Sequence, residues 1–182
     1  MAQKKTTSKK NTKKSAAKLP YTTPGLDEAA ARELIDILQL RLHTFNDLHL
    51  TLKHVHWNVV GPHFIAVHEM IDPQVEQVRA MADATAERIA TLGGAPVGTP
   101  GALVAAREWD DYAVERGGTQ KHLAALDSVY EGVVSSQRDA IAATEELDPV
   151  TQDMLISQTD QLELFHWFVR AHLEDQGGNL KS

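Results

Sequence analysis

Apolar residues recur every three or four positions along four long stretches of the chain, and this is the spacing of an amphipathic helix. The four predicted helices cover residues 27–61, 63–92, 119–147 and 149–176. Asp27 and Asp148 are suitable N-caps for the first and fourth helices, while Gly61 and Pro62 end the first. The side chains expected to be buried are Leu34, Leu38, Phe45, Leu48, Leu52 and Val55 in the first helix, Phe64, Val67, Ile71, Val75, Val78, Ala82, Ile89 and Leu92 in the second, and Leu123, Leu126, Tyr130, Val133, Gln137 and Ile141 in the third.

The connection between the second and third predicted helices is much longer than the other connections. Residues 94–118 contain Pro96, Pro100 and several glycines, and they have room for one short helix at about residues 102–112. A connection of this length can run along a whole bundle of long helices. The sequence therefore predicts an all-α fold, a ferritin-like four-helix bundle with one long crossover that carries a short helix.

Composition restricts the class of protein further. The chain has 182 residues, of which 42% are apolar, so it can bury one substantial core. It contains no cysteine, which excludes a disulfide framework, a thiolate metal site and a cysteine nucleophile. No run of about 18 apolar residues occurs, so we expect no membrane span. The basic N-terminus lacks the apolar segment of a secretory signal.

Charge is divided unevenly along the chain. Residues 1–20 hold seven lysines and no acid, whereas the rest has 11 basic residues against 25 acids, a net charge of -14. The seven are Lys4, Lys5, Lys9, Lys10, Lys13, Lys14 and Lys18. We predict a disordered arm over 1–20, a bundle over 21–176 and a short tail over 177–182, because the arm has too little apolar surface to offset the entropy of ordering.

Histidines and acids gather where the first predicted helix meets the second. The cluster consists of His54, His56, His63, His68, Glu69, Asp72, Glu76, Asp83 and Glu87. At about 100° per residue, four members form a second stripe on the second helix, roughly 120° from the apolar stripe. These four are His68, Asp72, Asp83 and Glu87. We therefore expect them to point away from the core of their own bundle.

Two pairs in this stripe can each hold a metal ion, but one helix cannot bring the pairs together. His68 and Asp72 are one turn apart, as are Asp83 and Glu87. The pairs are separated by about 16 Å at 1.5 Å per residue, whereas ligands lie about 2 Å from a metal. Two antiparallel copies of the helix, related by a two-fold axis near residues 77–78, would join them within reach of His56. Imidazole and carboxylate suit iron, manganese or zinc. A solvated acidic face remains the alternative.

Three segments around this cluster form a long, ordered motif: Lys53-His54-Val55-His56-Trp57-Asn58, Gly61-Pro62-His63-Phe64-Ile65-Ala66-Val67-His68-Glu69-Met70-Ile71-Asp72 and Asp83-x-x-Ala86-Glu87-Arg88. These segments resemble the Dps family, the mini-ferritins known as DNA-binding proteins from starved cells, and the actinobacterial type in particular. The resemblance extends over about residues 22–176. It implies a hollow dodecamer of four-helix bundles that oxidises Fe(II), preferably with hydrogen peroxide, and stores the ferric mineral.

The resemblance also implies a two-iron ferroxidase centre shared by two subunits across a two-fold axis. Its ligands would be His56, His68 and Asp72 from one chain and Asp83 and Glu87 from the other. Helix geometry alone leads to the same two-chain arrangement. The resemblance further implies that Trp57, next to His56, stacks on the centre and takes up an oxidising electron, and a simple packing role for Trp57 is equally open.

Acids near the fourth helix have competing interpretations. The resemblance places a threefold iron-entry pore at Asp148 and Asp153, and Asp148 also suits the N-cap of that helix. Glu163-x-x-His166 looks like half of a ferritin-type di-iron motif. The second helix offers no matching half, which favours a structural role for His166.

The remaining histidines and aromatic residues are assigned ordinary roles. His54 and His63 could bind entering metal, but we expect them to be exposed side chains without that role. We expect Trp109, Tyr112 and Trp167 to contribute to packing.

The lysine-rich arm indicates double-stranded DNA as a partner. Lysines neutralise phosphates, but the arm has no arginine, aromatic residue or recognition helix with which to read bases. Binding would be independent of sequence, and a solubilising tail is the alternative. The ligand stripe, the resemblance to the Dps family and the lysine-rich arm together predict a cytoplasmic, nucleoid-associated ferroxidase and iron-storage cage that protects DNA. The rival is a structural nucleoid-coating protein whose interface site is vestigial or binds zinc.

Overall fold

The computed structural model describes residues 18–175 and residue 178, and five helices account for most of them. They are α1 (Glu28–Asn58), α2 (Phe64–Thr91), α3 (Pro100–Ala106), α4 (Thr119–Thr144) and α5 (Pro149–Leu173). α1 packs along α2 and α4 along α5, and the two hairpins share one core. The predicted four-helix bundle with a long crossover is confirmed. No helix in the described part of the chain is both long and apolar enough to cross a membrane.

Side-chain caps start the two helices that follow an aspartate, as predicted. Asp27 accepts hydrogen bonds of 2.9 Å from two backbone N–H groups in the first turn of α1. Asp148 accepts one of 3.0 Å from the N–H of Thr151 and begins α5. α4 and α5 end at Thr144 and Leu173, earlier than the period predicted, because an apolar repeat does not mark where the last turn stops.

The crossover between α2 and α4 differs from the prediction in two details. α3 begins and ends earlier than the expected range of 102–112, since Pro100 takes the favoured first position of the helix. A two-residue parallel ladder also forms between β1 (Val59–Val60) and β2 (Gly117–Gly118). No alternating pattern in the sequence predicts this ladder. The ladder ties the start of α4 to the end of α1, so the last turns of α1 lie beside the crossover.

The predicted apolar stripes form the core of the bundle with few exceptions. The buried members include Leu34, Leu38, Phe45, Leu48, Leu52, Val55, Val67, Ile71, Val75, Val78, Ala82, Ile89, Leu92, Leu123, Leu126 and Tyr130. Val133 and Ile141 are partly buried against this cluster. Phe64 was expected inside but is 42% exposed, because it occupies the first turn of α2 beside an exposed connection. Trp167 is 59% exposed, so its expected packing role is not met within one chain.

Polar side chains inside the core set the register between the two hairpins. The Tyr130 hydroxyl donates to Oε1 of Gln74 at 2.7 Å, which joins α4 to α2. Gln137 Nε2 donates to Oε1 of Gln158 at 3.3 Å, which joins α4 to α5. Because a buried polar group without a partner is costly, these pairs favour one alignment of the helices.

Candidate metal centre

His56 and His68 meet where the end of α1 faces the first turns of α2. Their imidazole rings are stacked, with centroids 3.6 Å apart. Nδ1 of His56 lies 3.1 Å from the backbone carbonyl of His68, and Nδ1 of His68 lies 3.0 Å from that of His56. A carbonyl oxygen only accepts, so both Nδ1 atoms carry the proton. In a neutral imidazole with its proton on Nδ1, Nε2 has a lone pair that can bind a metal.

Asp72 lies beside the two histidines. Its Oδ1 is 3.2 Å from Nδ1 of His56 and 2.9 Å from Nζ of Lys53. The hydrogen bond from Lys53 is the main cause that lowers the pKa of Asp72, so this carboxylate is ionised at neutral pH. Its side chain is 53% exposed and faces away from the core, as the helical stripe predicted.

Asp83 and Glu87 lie further along the same helix and are both exposed. They follow Asp72 by three to four helical turns, so one chain keeps the two ligand pairs about 16 Å apart along α2. Within the described residues no three His, Asp or Glu side chains are arranged to hold one metal ion. In a single chain the two predicted ligand pairs are thus separate groups of side chains.

The cleft beside Asp83 contains a histidine that the sequence analysis did not single out. His49, Arg79 and Asp83 line a cavity of about 410 Å³ between α1 and α2. His49 precedes His56 by seven residues, which is two helical turns and therefore the same face of α1. This spacing was the available signal, and it places a further imidazole near the second ligand pair.

The neighbours of the paired histidines differ in their exposure. Trp57 is 71% exposed, and Nζ of Lys53 lies 5.9 Å from the centroid of its ring. His63 is exposed at the start of α2, as expected. The expectation of an exposed His54 is wrong: its Nε2 donates to the carbonyl of Val114 at 2.8 Å, because the β1–β2 ladder holds the crossover over this end of α1.

Trp109 and Tyr112 have the packing roles expected of them. The Trp109 indole donates to Oδ2 of Asp47 at 2.8 Å, which fixes the crossover to α1. The ring of Tyr112 meets His54 edge-on at 5.7 Å, and its hydroxyl lies 3.0 Å from Nδ1 of His122. His122 is fully buried, and its position three residues into α4 gave no sign of this contact.

The two acids assigned to iron entry have different surroundings. Asp148 is buried, and its Oδ2 accepts from Nη2 of Arg88 at 2.5 Å and from Oγ1 of Thr151 at 2.6 Å. Burial alone would raise the pKa of Asp148, but the hydrogen bonds from Thr151 and Arg88 outweigh it and lower the pKa. Asp153 is exposed. In one chain Asp148 is an N-cap and ion-pair partner, and Asp153 is the carboxylate that faces solvent.

His166 has the structural role that the sequence favoured. It is buried, its ring stacks on Tyr130 at 5.9 Å, and its Nε2 lies 2.6 Å from Oδ1 of Asp127. Glu163 instead accepts a 2.8 Å hydrogen bond from Nε of Arg138. The two residues therefore serve different contacts.

Most of the lysine-rich arm lies outside the described residues. This applies to Lys4, Lys5, Lys9, Lys10, Lys13 and Lys14, whereas Lys18 is described and exposed. The backbone N–H of Leu19 donates to Oε1 of Glu28 at 3.1 Å, and the Tyr21 hydroxyl donates to the carbonyl of Ala90 at 2.9 Å. The chain is thus held against the bundle from Leu19 onward.

Known proteins are similar to this chain in sequence and fold over most of their length. Residues 35–176 match the ferritin family model, described as a ferritin-like domain. The DNA protection during starvation protein of Mycolicibacterium smegmatis is 62% identical over 160 residues, which cover 88% of this chain and 87% of that protein. A solved Dps structure of Mycobacterium smegmatis has a TM-score of 0.88 at 62% identity, covering 89% of this chain and 98% of that one. One from Streptomyces coelicolor also reaches 0.88, at 63% identity, covering 91% and 100%. The chain therefore belongs to the ferritin-like proteins and, among them, to the Dps family.

Proposed function

We propose that this protein is a ferroxidase and iron-storage cage that protects DNA. The observation that carries the proposal is the placement of two ligand pairs on the outward face of α2, too far apart for one ion. His68 and Asp72 stand near the start of the helix, and Asp83 and Glu87 stand near its end. Only a second copy of the chain can complete either pair, so the centre belongs to a subunit interface.

A two-fold axis near residues 77–78 would close two equivalent centres at once. Each would combine Nε2 of His56 and His68 and the carboxylate of Asp72 with the partner subunit's Asp83 and Glu87. Apolar side chains support an interface here, since Trp57, Phe64 and Ile65 are 71%, 42% and 50% exposed in the single chain. Burial of these groups against a partner would stabilise the closed centre.

Fe(II) is the substrate of the centre, and hydrogen peroxide is the oxidant we propose. Two Fe(II) ions each lose one electron, the O–O bond of peroxide breaks, and two protons complete two molecules of water. The negative carboxylates offset part of the positive charge of the bound ions, which favours the ferric product. The reaction consumes both reagents that otherwise generate hydroxyl radicals, which would protect nearby DNA.

Storage requires a closed shell, and we propose the hollow dodecamer of the Dps family. Fe(II) would enter at a threefold pore near the start of α5, where Asp153 is exposed and Asp148 orients the helix. The net charge of -14 outside the arm supports attraction of cations to the shell.

The arm supplies the proposed contact with DNA. Its seven lysines can neutralise phosphates, and repeated arms on one cage would add weak contacts together. We propose that the cage binds double-stranded DNA without sequence specificity, in the cytoplasm and at the nucleoid. The relative from Mycolicibacterium smegmatis carries DNA protection in its name, which supports this assignment.

One contact favours the rival proposal. Nζ of Lys53 already pairs with Asp72, and a metal at this carboxylate must compete with that ammonium group. A structural nucleoid-coating protein with a vestigial or zinc-binding interface site would retain such a pair. Peroxide would then cause no iron-dependent rise in absorbance.

The experiment compares Fe(II) oxidation by peroxide in three full-length proteins. The double variant Asp83→Ala with Glu87→Ala should lose rapid oxidation and keep its helix content. The matched control, Glu33→Ala with Asp36→Ala, removes two exposed acids from α1 outside the ligand set and should keep the wild-type rate. A wild-type initial rate in the first variant would overturn the assignment.

Mixing two inactive variants tests whether the centre is shared. The Asp83→Ala, Glu87→Ala chain is refolded together with a His68→Ala, Asp72→Ala chain. Each mixed dimer then has one intact centre, so about a quarter of all centres should recover. If each centre belonged to a single chain, mixing would restore no activity.

A further inference from the structure

A cavity of about 440 Å³ opens between α1, α4 and residues 109–113 of the crossover. Its walls are largely apolar side chains, among them Leu48, Val129 and Val133. A volume of this size suits a small organic molecule, since ligand sites are typically about 300–1,000 Å³ and mostly apolar. None of the five predicted metal ligands, all of which the structure describes, lines this cavity, so it is separate from the candidate metal centre.

Gly132 lies inside α4 and lines the cavity. It is the only glycine within the bounds of the four long helices, where glycine lowers helix stability. Close packing does not require a glycine here, because a Cβ at this position would meet no packed neighbour within 4 Å. The missing side chain therefore leaves open space beside α4 and does not admit another helix.

Two aromatic rings of the crossover are held in place where they line the cavity. Nε1 of Trp109 donates to Oδ2 of Asp47 at 2.8 Å, and the Tyr112 hydroxyl lies 3.0 Å from Nδ1 of His122. Because the polar atoms of both rings already have partners, the rings offer a ligand apolar and π surface. Rings that are fixed in advance also lose little conformational freedom when a ligand binds.

The charge of the lining favours a positively charged ligand. Asp47, Asp110 and Asp111 line the cavity, and none of its described lining residues is Lys, Arg or His. Nη1 of Arg107 lies 3.3 Å from Asp47 and 2.5 Å from Asp111, so this guanidinium offsets part of their charge. Asp110 is exposed and has no such partner among the described residues. Its carboxylate is available to a cation, which aromatic rings also attract.

A buried guanidinium lies behind another part of the wall. Ser136 lines the cavity, and its hydroxyl accepts a hydrogen bond from Nη1 of Arg41, which also lies 3.4 Å from Oε1 of Gln137. Arg41 precedes Asp47 by six residues, about 9 Å of helix rise along α1. A second positive group of the ligand would be repelled near Ser136. The ligand should therefore carry a single positive charge, directed toward Asp110.

We propose that this cavity is a binding site for a small organic monocation with an apolar aromatic body. The body would lie against Val129, Val133 and the rings of Trp109 and Tyr112, and the charged group would lie beside Asp110. The inference does not depend on the proposed function, because no predicted metal ligand takes part. A bound molecule would connect the crossover to α1 and α4, and it would stabilise the folded protein by mass action.

The first experiment tests the charge preference with two probes on the full-length protein. Isothermal titration calorimetry compares 1-naphthylmethylammonium with 1-naphthylmethanol, which has the same rings and no charge. The wild type should bind the ammonium about fivefold more tightly, the gain expected from one exposed ion pair. Asp110→Asn should remove this preference and leave the affinity for the alcohol unchanged. Asp36→Asn changes an exposed acid of α1 outside the cavity and should keep the preference.

The second experiment fills the cavity. Gly132→Leu places a side chain in the open space and favours the helix, so the variant should fold and bind both probes at least about tenfold more weakly. Ala142→Leu adds the same side chain to an exposed position about 15 Å further along α4 and should bind like the wild type. Circular dichroism and gel filtration report the helices and the assembly of each variant.

Three results would overturn the inference. They are a wild type that binds neither probe, a wild type without preference for the ammonium, and wild-type affinity in Gly132→Leu. If the wild type binds neither probe and Gly132→Leu changes the oligomeric state, a second copy of the chain occupies the groove instead. Asp110→Asn changes an exposed side chain, so the charge test remains decisive even if Gly132→Leu does not fold.

Discussion

His56 and His68 hold each other through their backbones, each imidazole donating from Nδ1 to the other residue's carbonyl at 3.1 and 3.0 Å. The two bonds join the last turn of α1 to the second turn of α2. They also fix the tautomer of both rings, so neither Nε2 needs to reorient before it binds a metal. The two imidazoles of the proposed centre are therefore held in one orientation within a single chain, whereas Asp72 lies on the Nδ1 side of His56.

The first prediction concerns the free Nε2 of His68. His68→Phe keeps a flat ring in the stack but removes the metal-binding nitrogen, so Zn(II) used as a probe should bind at least about tenfold more weakly. His63→Phe, at an exposed position five residues earlier, should leave the affinity unchanged. Isothermal titration calorimetry measures both. Equal affinity in His68→Phe and the wild type would contradict the proposed ligand set.

The second prediction concerns the entry of iron. Asp148 is paired with Arg88, so Asp153 is the acid of the proposed pore whose charge is exposed. Asp153→Asn should slow iron uptake at low ionic strength, and the difference should shrink at high salt because screening removes the attraction. Asp36→Asn changes an exposed acid on α1 and is the control. Identical stopped-flow uptake in Asp153→Asn and the control would show that iron enters elsewhere.

The third prediction concerns Asp148 itself, which should matter for stability. Its pKa is lowered in the folded state, so it contributes stability above its ordinary pKa and loses that contribution as the pH falls through the folded value. Asp148→Asn keeps an N-cap but loses the ion pair with Arg88, and it should cost about 1–3 kcal/mol at pH 7. Urea unfolding at pH 7 and in acid measures the difference, which should vanish at low pH. A constant difference across this range would contradict the ion-pair explanation.

The fourth prediction concerns the arm. Among the described residues, the first hydrogen bond to the bundle comes from Leu19, so removing residues 1–18 should leave the fold and Fe(II) oxidation intact and abolish DNA binding. For the full chain, log K should fall with log salt by about 0.9 per phosphate neutralised. A full-length control with all seven lysines changed to glutamine should match the truncated protein. If the truncated protein retards plasmid as well as the wild type in a gel at about 0.1 M salt, the arm is a solubilising tail.

The helices and the ligand stripe could be predicted because both depend on local spacing. The apolar residues from Leu34 to Val55 that repeat every three or four positions are buried because their period matches that of the helix. Asp27 caps the first turn of α1, which follows it directly. The distance between the two ligand pairs follows from the rise of one helix and needs no knowledge of the rest of the fold. The apolar period, the helix cap and the spacing of the ligand pairs depend only on residues close together in the sequence, so they do not depend on how the helices pack.

Only the tertiary structure decided which side chains meet across the crossover. His54 was expected at the surface, but it forms a hydrogen bond with the carbonyl of Val114. Arg88 likewise donates a hydrogen bond to Asp148. In each case the partner is 60 residues away along the chain. The contact of Tyr112 with His122 likewise depends on how the loop before α4 lies against α1. No period along the sequence encodes such contacts, because they result from the packing of the crossover against α1 and of α2 against α5. The sequence alone determined the helices and the spacing of the ligands, and packing between distant segments decided the surroundings in which they act.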